Sequence, residues 1–179
     1  MKNIYNFRPA SIDEELLFGA CRPGYGKEMA GYDDINLWCD YMRSNRIERV
    51  VVLLDRDQLK NYSADYIEVL RDSFGSENIL STPIPDYHLA TAEVLGGIIL
   101  PFLQDSINKS KKTVVHCAGG IGRSGHILAA FLSCIRGYRT EDAFELTQDM
   151  GFNPFEAVDK GNATRQELLD LIDQFREKH

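Results

Sequence analysis

One stretch limits this chain more than any other: Thr113-Val114-Val115-His116-Cys117-Ala118-Gly119-Gly120-Ile121-Gly122-Arg123-Ser124-Gly125. It begins as a β-branched run, turns through glycines and enters a nearly continuous apolar segment, Ile127 to Ile135. The pattern predicts a buried strand, a tight loop and the first turn of a buried helix. Backbone N–H groups of such a loop are free, and the helix dipole adds partial positive charge, so the joint is built to cradle an anion.

Two side chains make the cradle reactive. Cys117 ends the strand in a field that favours an ionised sulfur. Arg123 stands at the helix start, where its fork can grip two oxygens of a phosphate. Ser124 is placed to donate a hydrogen bond to the sulfur, and the glycines let the backbone curl. A buried cysteine after a strand is ordinarily a small hydrophobe; Arg123, Ser124 and the glycines together favour the catalytic reading.

The order His116-Cys117, five residues, Arg123-Ser124 resembles the signature loop of the cysteine-dependent protein tyrosine phosphatases, and the compact chain is more similar to their dual-specificity branch. The resemblance implies hydrolysis of phosphate monoesters through a thiophosphoryl-cysteine intermediate. Cys117 is then the nucleophile. Arg123 and the N–H groups of Ala118, Gly119, Gly120, Ile121 and Gly122 hold the phosphate oxygens as charge spreads over them.

A leaving oxygen also needs a proton donor on a separate loop. Asp86, in Ile84-Pro85-Asp86-Tyr87, resembles the general-acid loop of that family, with Asp55 and Asp57 as alternatives. Ser124 is expected to ease departure of the sulfur. His116 is expected to point away from the substrate and hold the loop by bonding backbone carbonyls. His88 reads as solvated loop decoration. Asn162 and Gln166 lie where related phosphatases place water-positioning polar residues, but no motif there assigns them that role.

Elsewhere the pattern alternates strands and helices. Strands are expected at Leu16–Cys21, Val50–Leu54 and Ile79–Pro85, the last losing its ladder at the prolines. Helices are expected from Asp33 or Asp34 to Asn45, over Asp57–Phe74 with a break near Ser63, and over Thr91–Ile107 with a kink at Gly96, Gly97 and Pro101. Thr140 is expected to cap a helix ending at Gly151, and Thr164-Arg165-Gln166-Glu167 reads as a capping box for a last one. The fold class expected is α/β: one domain over residues 1–179, with a central, mostly parallel sheet flanked by helices.

With 26% charged residues and a net charge of −7, nucleic acid and anionic membranes are disfavoured as partners. The five loop residues carry no Lys or Arg, which disfavours polyphosphoinositides and RNA 5′-triphosphates. The Gly-Gly pair is similar to loops of kinase-associated phosphatases, which points to a phosphorylated protein or peptide substrate. Tyr25 and Tyr32 are candidates to flank its ring.

The four cysteines, Cys21, Cys39, Cys117 and Cys134, show no ligand-like spacing. No metal or cofactor is therefore expected, and a reducing cytoplasm is the expected compartment. A rhodanese-type sulfurtransferase and a phosphate-binding module without turnover are the alternative readings.

Overall fold

The computed structural model describes residues 4–176. Its β-branched runs pair into a five-stranded sheet of β1 (Arg8–Pro9), β2 (Leu17–Cys21), β3 (Arg49–Val52), β4 (Ile79–Ser81) and β5 (Thr113–Cys117), in the spatial order β1-β2-β5-β3-β4. Every junction is parallel except β1 on β2. The sheet is thus mostly parallel, with a two-residue antiparallel edge strand that the sequence pattern did not reveal. The last strand of the chain, β5, inserts between β2 and β3. Cys117 sits at its C-terminal end, where a crevice for ligands opens in sheets of this kind.

Helices cover both faces: α1 (Tyr32–Ser44), α2 (Arg56–Leu59), α3 (Tyr66–Phe74), α4 (Ala92–Val94), α5 (Leu100–Asn108), α6 (Gly122–Cys134), α7 (Thr140–Asp149), α8 (Glu156–Asp159) and α9 (Arg165–Asp173). The period of two along the strands divides their side chains between two cores. Val50, Val52, Leu54 and Val114 pack with Trp38 and Leu70 on one face. Val51, Leu53, Val115 and Cys117 pack with Ile127, Phe131 and Phe144 on the other. All four residues of β3 are buried, as a run without alternation requires. Trp38 lies wholly inside, its indole N–H on the Cys21 carbonyl at 2.9 Å, which ties α1 to the end of β2.

Several local expectations change in the structure. Gly31, not Asp33 or Asp34, holds the N-cap of α1. Asp34 acts from the first turn by accepting the Gly31 N–H at 3.0 Å. The segment from Asp57 to Phe74 is two helices, each opened by an aspartate: Asp55 accepts from Asp57 and Gln58, and Asp65 from Glu68. Between α4 and α5 the expected kink is a π-helical turn, Leu95–Ile99. Pro101 cannot donate to the ladder there, and a Cβ on Gly96 would lie 2.1 Å from the Phe175 ring.

Thr140 does not cap α7. Arg139 holds that position, and the Thr140 hydroxyl is buried between Ser133 and Asp173. Gly151 does end α7, with φ +84° and the paired bonds Gly151 N–H to Gln148 and Phe152 N–H to Thr147. The capping box of α9 forms as expected. Among the described residues, no helix is long and apolar enough to cross a membrane.

Candidate active site

The loop between β5 and α6 sorts its polar backbone by direction. Its carbonyls are bound outward: Ala118 to the Arg22 N–H, Gly119 to the Asn6 amide, and Ile121 to the N–H groups of Gly125 and Asn153. The N–H groups of Ala118, Gly119, Gly120 and Ile121 donate to nothing among the described residues. Those of Gly122, Arg123 and Ser124 are the orphan donors of a helix start. This is a concave set of amides with no internal acceptor.

Two glycines are required by contact. Gly120 has φ +70°, and a Cβ there would stand 2.3 Å from the Ala20 backbone. A Cβ on Gly122 would stand 1.7 Å from the Glu156 carboxylate.

Arg123 is buried, with 2% of its side chain exposed. Its Nη1 is fixed by three acceptors: Gln58 Oε1 at 2.8 Å, the Ile84 carbonyl at 3.0 Å and the Leu53 carbonyl at 3.4 Å. Nη2 pairs with Asp86 Oδ1 at 2.8 Å, and Nε is buried with no partner among the described residues. The Nε–Nη2 edge is therefore the one a phosphate can take.

Asp86 reaches the cradle on a segment that leaves β4 at Ser81 yet stays fastened beside the end of β3. Thr82 and Ile84, not Pro83 and Pro85, stand at the donating positions, bonding the Val52 and Leu53 carbonyls at 3.0 and 3.1 Å. The turn at Asp86–Tyr87 puts Tyr87 at φ +59°, a costly conformation for a bulky residue. Asn162 holds that turn by donating to the Tyr87 carbonyl at 3.0 Å, and the Lys160 ammonium lies over the Tyr87 ring.

Cys117, Ala118, Gly119, Ile121, Gly122, Arg123 and Asp86 line one cavity of about 250 Å³, joined by Tyr25, Tyr87 and Glu156. Gly120 is the loop residue that forms no part of the wall; it backs onto β2. Ser124 is fully buried and its hydroxyl has no hydrogen-bond partner among the described residues, so the expected bond to the sulfur is not formed. His116 faces away from the cavity, as the strand period requires. It bonds one carbonyl, that of Cys117 at 3.4 Å, and on its other side accepts from the Tyr66 hydroxyl at 2.7 Å. Burial pushes its pKa down to about 3, with Arg123 and Arg22 adding to the effect and the Cys117 carbonyl opposing it.

The other candidates named from the sequence stand off the cavity. Asp55 is committed to capping α2, and Asp57 is exposed and paired with Lys60. His88 is exposed, bonding the Asp86 carbonyl. Gln166 bonds Asp170 on its own helix, and Tyr32 is exposed off the cavity. Among the described residues, no cluster of three His, Cys, Asp or Glu is placed to hold a metal.

Sequence reasoning missed Gln58 and Glu156. Gln58 joins Arg123 to Asp86, its Nε2 donating to Asp86 Oδ2 at 3.2 Å. The spacing from Asp55 to Gln58 is a capping-box signal that could have placed Gln58 at the exit of β3. Glu156 has no such signal. Its pKa is raised, first by burial and then by the charge of Asp86, while Arg123 acts in the opposite direction.

The model of the dual specificity phosphatase catalytic domain matches residues 54–156. Dual specificity protein phosphatase Mpk3 of Drosophila melanogaster is 28% identical over 102 residues, which are 53% of this chain and 25% of that protein. The matched region thus spans a quarter of the relative's length. Among solved structures, Tk-PTP in its active form superposes with a TM-score of 0.65 at 24% identity, covering 92% of this chain and 93% of that one. Kinase associated phosphatase superposes with a TM-score of 0.64 at 20% identity, covering 85% and 86%. At these identities the solved structures share the fold.

Proposed function

The chain belongs to the dual specificity phosphatase family, and from that premise we propose that it removes phosphate from phosphorylated proteins or peptides, phosphotyrosine foremost, with phosphoserine and phosphothreonine also accepted. The observation that carries this reading is the ring of unbonded amides and the buried Arg123 edge around the end of β5 where Cys117 stands.

In the first step the Cys117 thiolate attacks phosphorus as the ester oxygen departs with a proton from Asp86. Arg123 and the loop N–H groups hold the three equatorial oxygens. In the second step water attacks the thiophosphoryl group and gives its proton to the Asp86 carboxylate. Inorganic phosphate and the thiolate are released. The free Ser124 hydroxyl serves the sulfur as negative charge returns to it. Tyr25 and Tyr87, both exposed at the cavity wall, supply aromatic flanks for an aryl phosphate. No cofactor takes part in this scheme. We read residues 1–179 as one phosphatase domain working in the reducing cytoplasm, away from nucleic acid and membranes.

The test is hydrolysis of p-nitrophenyl phosphate, then of a panel of phosphotyrosine, phosphoserine and phosphothreonine peptides beside phosphoinositides. The reading requires turnover of the aryl ester that Cys117→Ser abolishes, and preference for the phosphopeptides. Turnover retained in Cys117→Ser removes the nucleophile, and preference for the lipids removes the substrate class.

A further inference from the structure

Gln58 touches both charged partners of the cradle and orients its amide oppositely to each. Its oxygen accepts from Arg123 Nη1 at 2.8 Å, and its nitrogen donates to Asp86 Oδ2 at 3.2 Å. Arg123 Nη2 to Asp86 Oδ1, at 2.8 Å, closes the ring of three. The amide cannot be turned over without placing N–H against guanidinium and oxygen against carboxylate, so the ring defines its orientation. Gln58 is itself anchored, because it stands three residues after the capping Asp55 in the first turn of α2, on the exit of the buried strand β3.

We propose that Gln58 is a positioning residue with two separable tasks: its oxygen keeps Arg123 aimed at the phosphate, and its N–H keeps Asp86 over the leaving oxygen. The first task matters when substrate arrives. A phosphate taking the Nε–Nη2 edge displaces Asp86 from Nη2, and Nη1 must then hold the guanidinium through Gln58 and the Ile84 and Leu53 carbonyls. The second task begins at the same moment. With its Arg123 partner gone, Asp86 keeps the Gln58 N–H on Oδ2 and the Tyr87 N–H on Oδ1, and the Oδ1 lone pair that faced the guanidinium becomes the site for the transferable proton.

The other groups around Asp86 do not duplicate this. Glu156 on α8 is a like charge, the Lys160 ammonium lies over Tyr87, and the His88 ring bonds the Asp86 main-chain carbonyl. The Tyr87 N–H reaches the carboxyl at Oδ1, not Oδ2, from within the same turn, so it moves with Asp86 and does not tie it to Arg123.

The inference rests on the phosphatase reading, and two variants test it apart from that reading. Gln58→Glu is nearly isosteric, keeps an acceptor for Arg123 and removes the donor to Asp86. Gln58→Leu removes both. Native enzyme, phenyl phosphate as an ester with a poor leaving group, p-nitrophenyl phosphate as one with a good leaving group, and inhibition by inorganic phosphate form the assay.

Gln58→Glu should keep its inhibition constant for phosphate within about threefold, while losing about tenfold more kcat on phenyl phosphate than on p-nitrophenyl phosphate. Gln58→Leu should show the same leaving-group bias and weaken phosphate inhibition by about tenfold. Equal loss on the two esters in Gln58→Glu overturns the second task. Unchanged phosphate inhibition in Gln58→Leu overturns the first. Should the leucine variant fail to fold, the inhibition arm passes to Gln58→Ala. If native enzyme turns over neither ester, it is the phosphatase reading that fails, not the assignment of Gln58.

Discussion

Asp86 occupies the edge of Arg123 that a phosphate needs: Oδ1 lies 2.8 Å from Nη2, with the arginine side chain 2% exposed and the aspartate 39%. The pair is half-solvated, so its attraction is screened on the aspartate side and a dianion can replace it. In the proposed mechanism Asp86 and the phosphate therefore compete for one guanidinium nitrogen before they cooperate.

That competition predicts opposite effects of one substitution. Asp86→Asn keeps the shape of the side chain but no longer holds Nη2 as an ion pair. Phosphate and vanadate should then inhibit more tightly, by about threefold to tenfold, because the site no longer has to be vacated. Turnover should fall by about 10²-fold on phenyl phosphate and by much less on p-nitrophenyl phosphate, whose leaving oxygen needs no proton. Weaker inhibition together with equal losses on the two esters would remove Asp86 from both roles.

Ser124 gives a second prediction from its burial. A hydroxyl at 0% exposure with no partner among the described residues costs stability, and the position makes sense if the hydroxyl serves the sulfur as negative charge returns to it when the intermediate breaks down. A hydrogen bond to an ionic group contributes about 1.5–3 kcal/mol, so Ser124→Ala should slow breakdown of the intermediate about ten- to a hundredfold. Rapid-quench measurements should show a burst of p-nitrophenol followed by a slow steady state. The same variant should be at least as stable as the native chain to urea, since no bond of the resting fold is lost. Unchanged steady-state turnover without a burst would leave the buried hydroxyl without a function.

How much of this site could be read in advance follows from how each residue gets there. Cys117, Arg123 and the loop amides are contiguous in sequence, and a strand, glycines and an apolar helix specify their geometry locally. His116 was legible because a period of two puts it on the face opposite Cys117. Asp86 was legible through its prolines, although the pattern alone does not reveal that Thr82 and Ile84 keep the strand fastened. Gln58 and Glu156 arrive from separate elements, α2 and α8, and meet the cradle only through tertiary packing. Thr140 failed as a cap because its own buried hydroxyl is taken by Ser133 and by Asp173 on α9 instead of by the helix end. The π-helical turn before α5 is a compromise among Pro101, Gly96 and the Phe175 ring, and no residue pattern announces such a compromise.

Two neutral histidines beneath the cradle couple folding to pH. His126 accepts the Ala90 N–H on Nε2 at 3.1 Å, and burial pushes its pKa down to about 4, while a hydrogen bond to the Gly122 backbone opposes the shift and Arg123 adds to it. For His116 the value is about 3, against 6.5 for an ordinary histidine. Both values are depressed, so below pH 6.5 the unfolded chain binds protons that the folded chain refuses. Stability from these groups is complete above 6.5 and is lost as pH falls toward 4. The slope approaches about 1.4 kcal/mol per pH unit for each histidine. Urea midpoints should therefore fall as pH drops from 6.5 to about 5, above most carboxylate titrations, with a slope that starts near one proton and approaches two. His126→Gln retains an acceptor for Ala90 and a donor for Gly122 but cannot titrate, so its slope should be halved at each pH. An unchanged slope in that variant would mean that His126 carries its proton in the folded protein, and that the N-terminal turn of α6 is held by an imidazolium instead of a neutral ring.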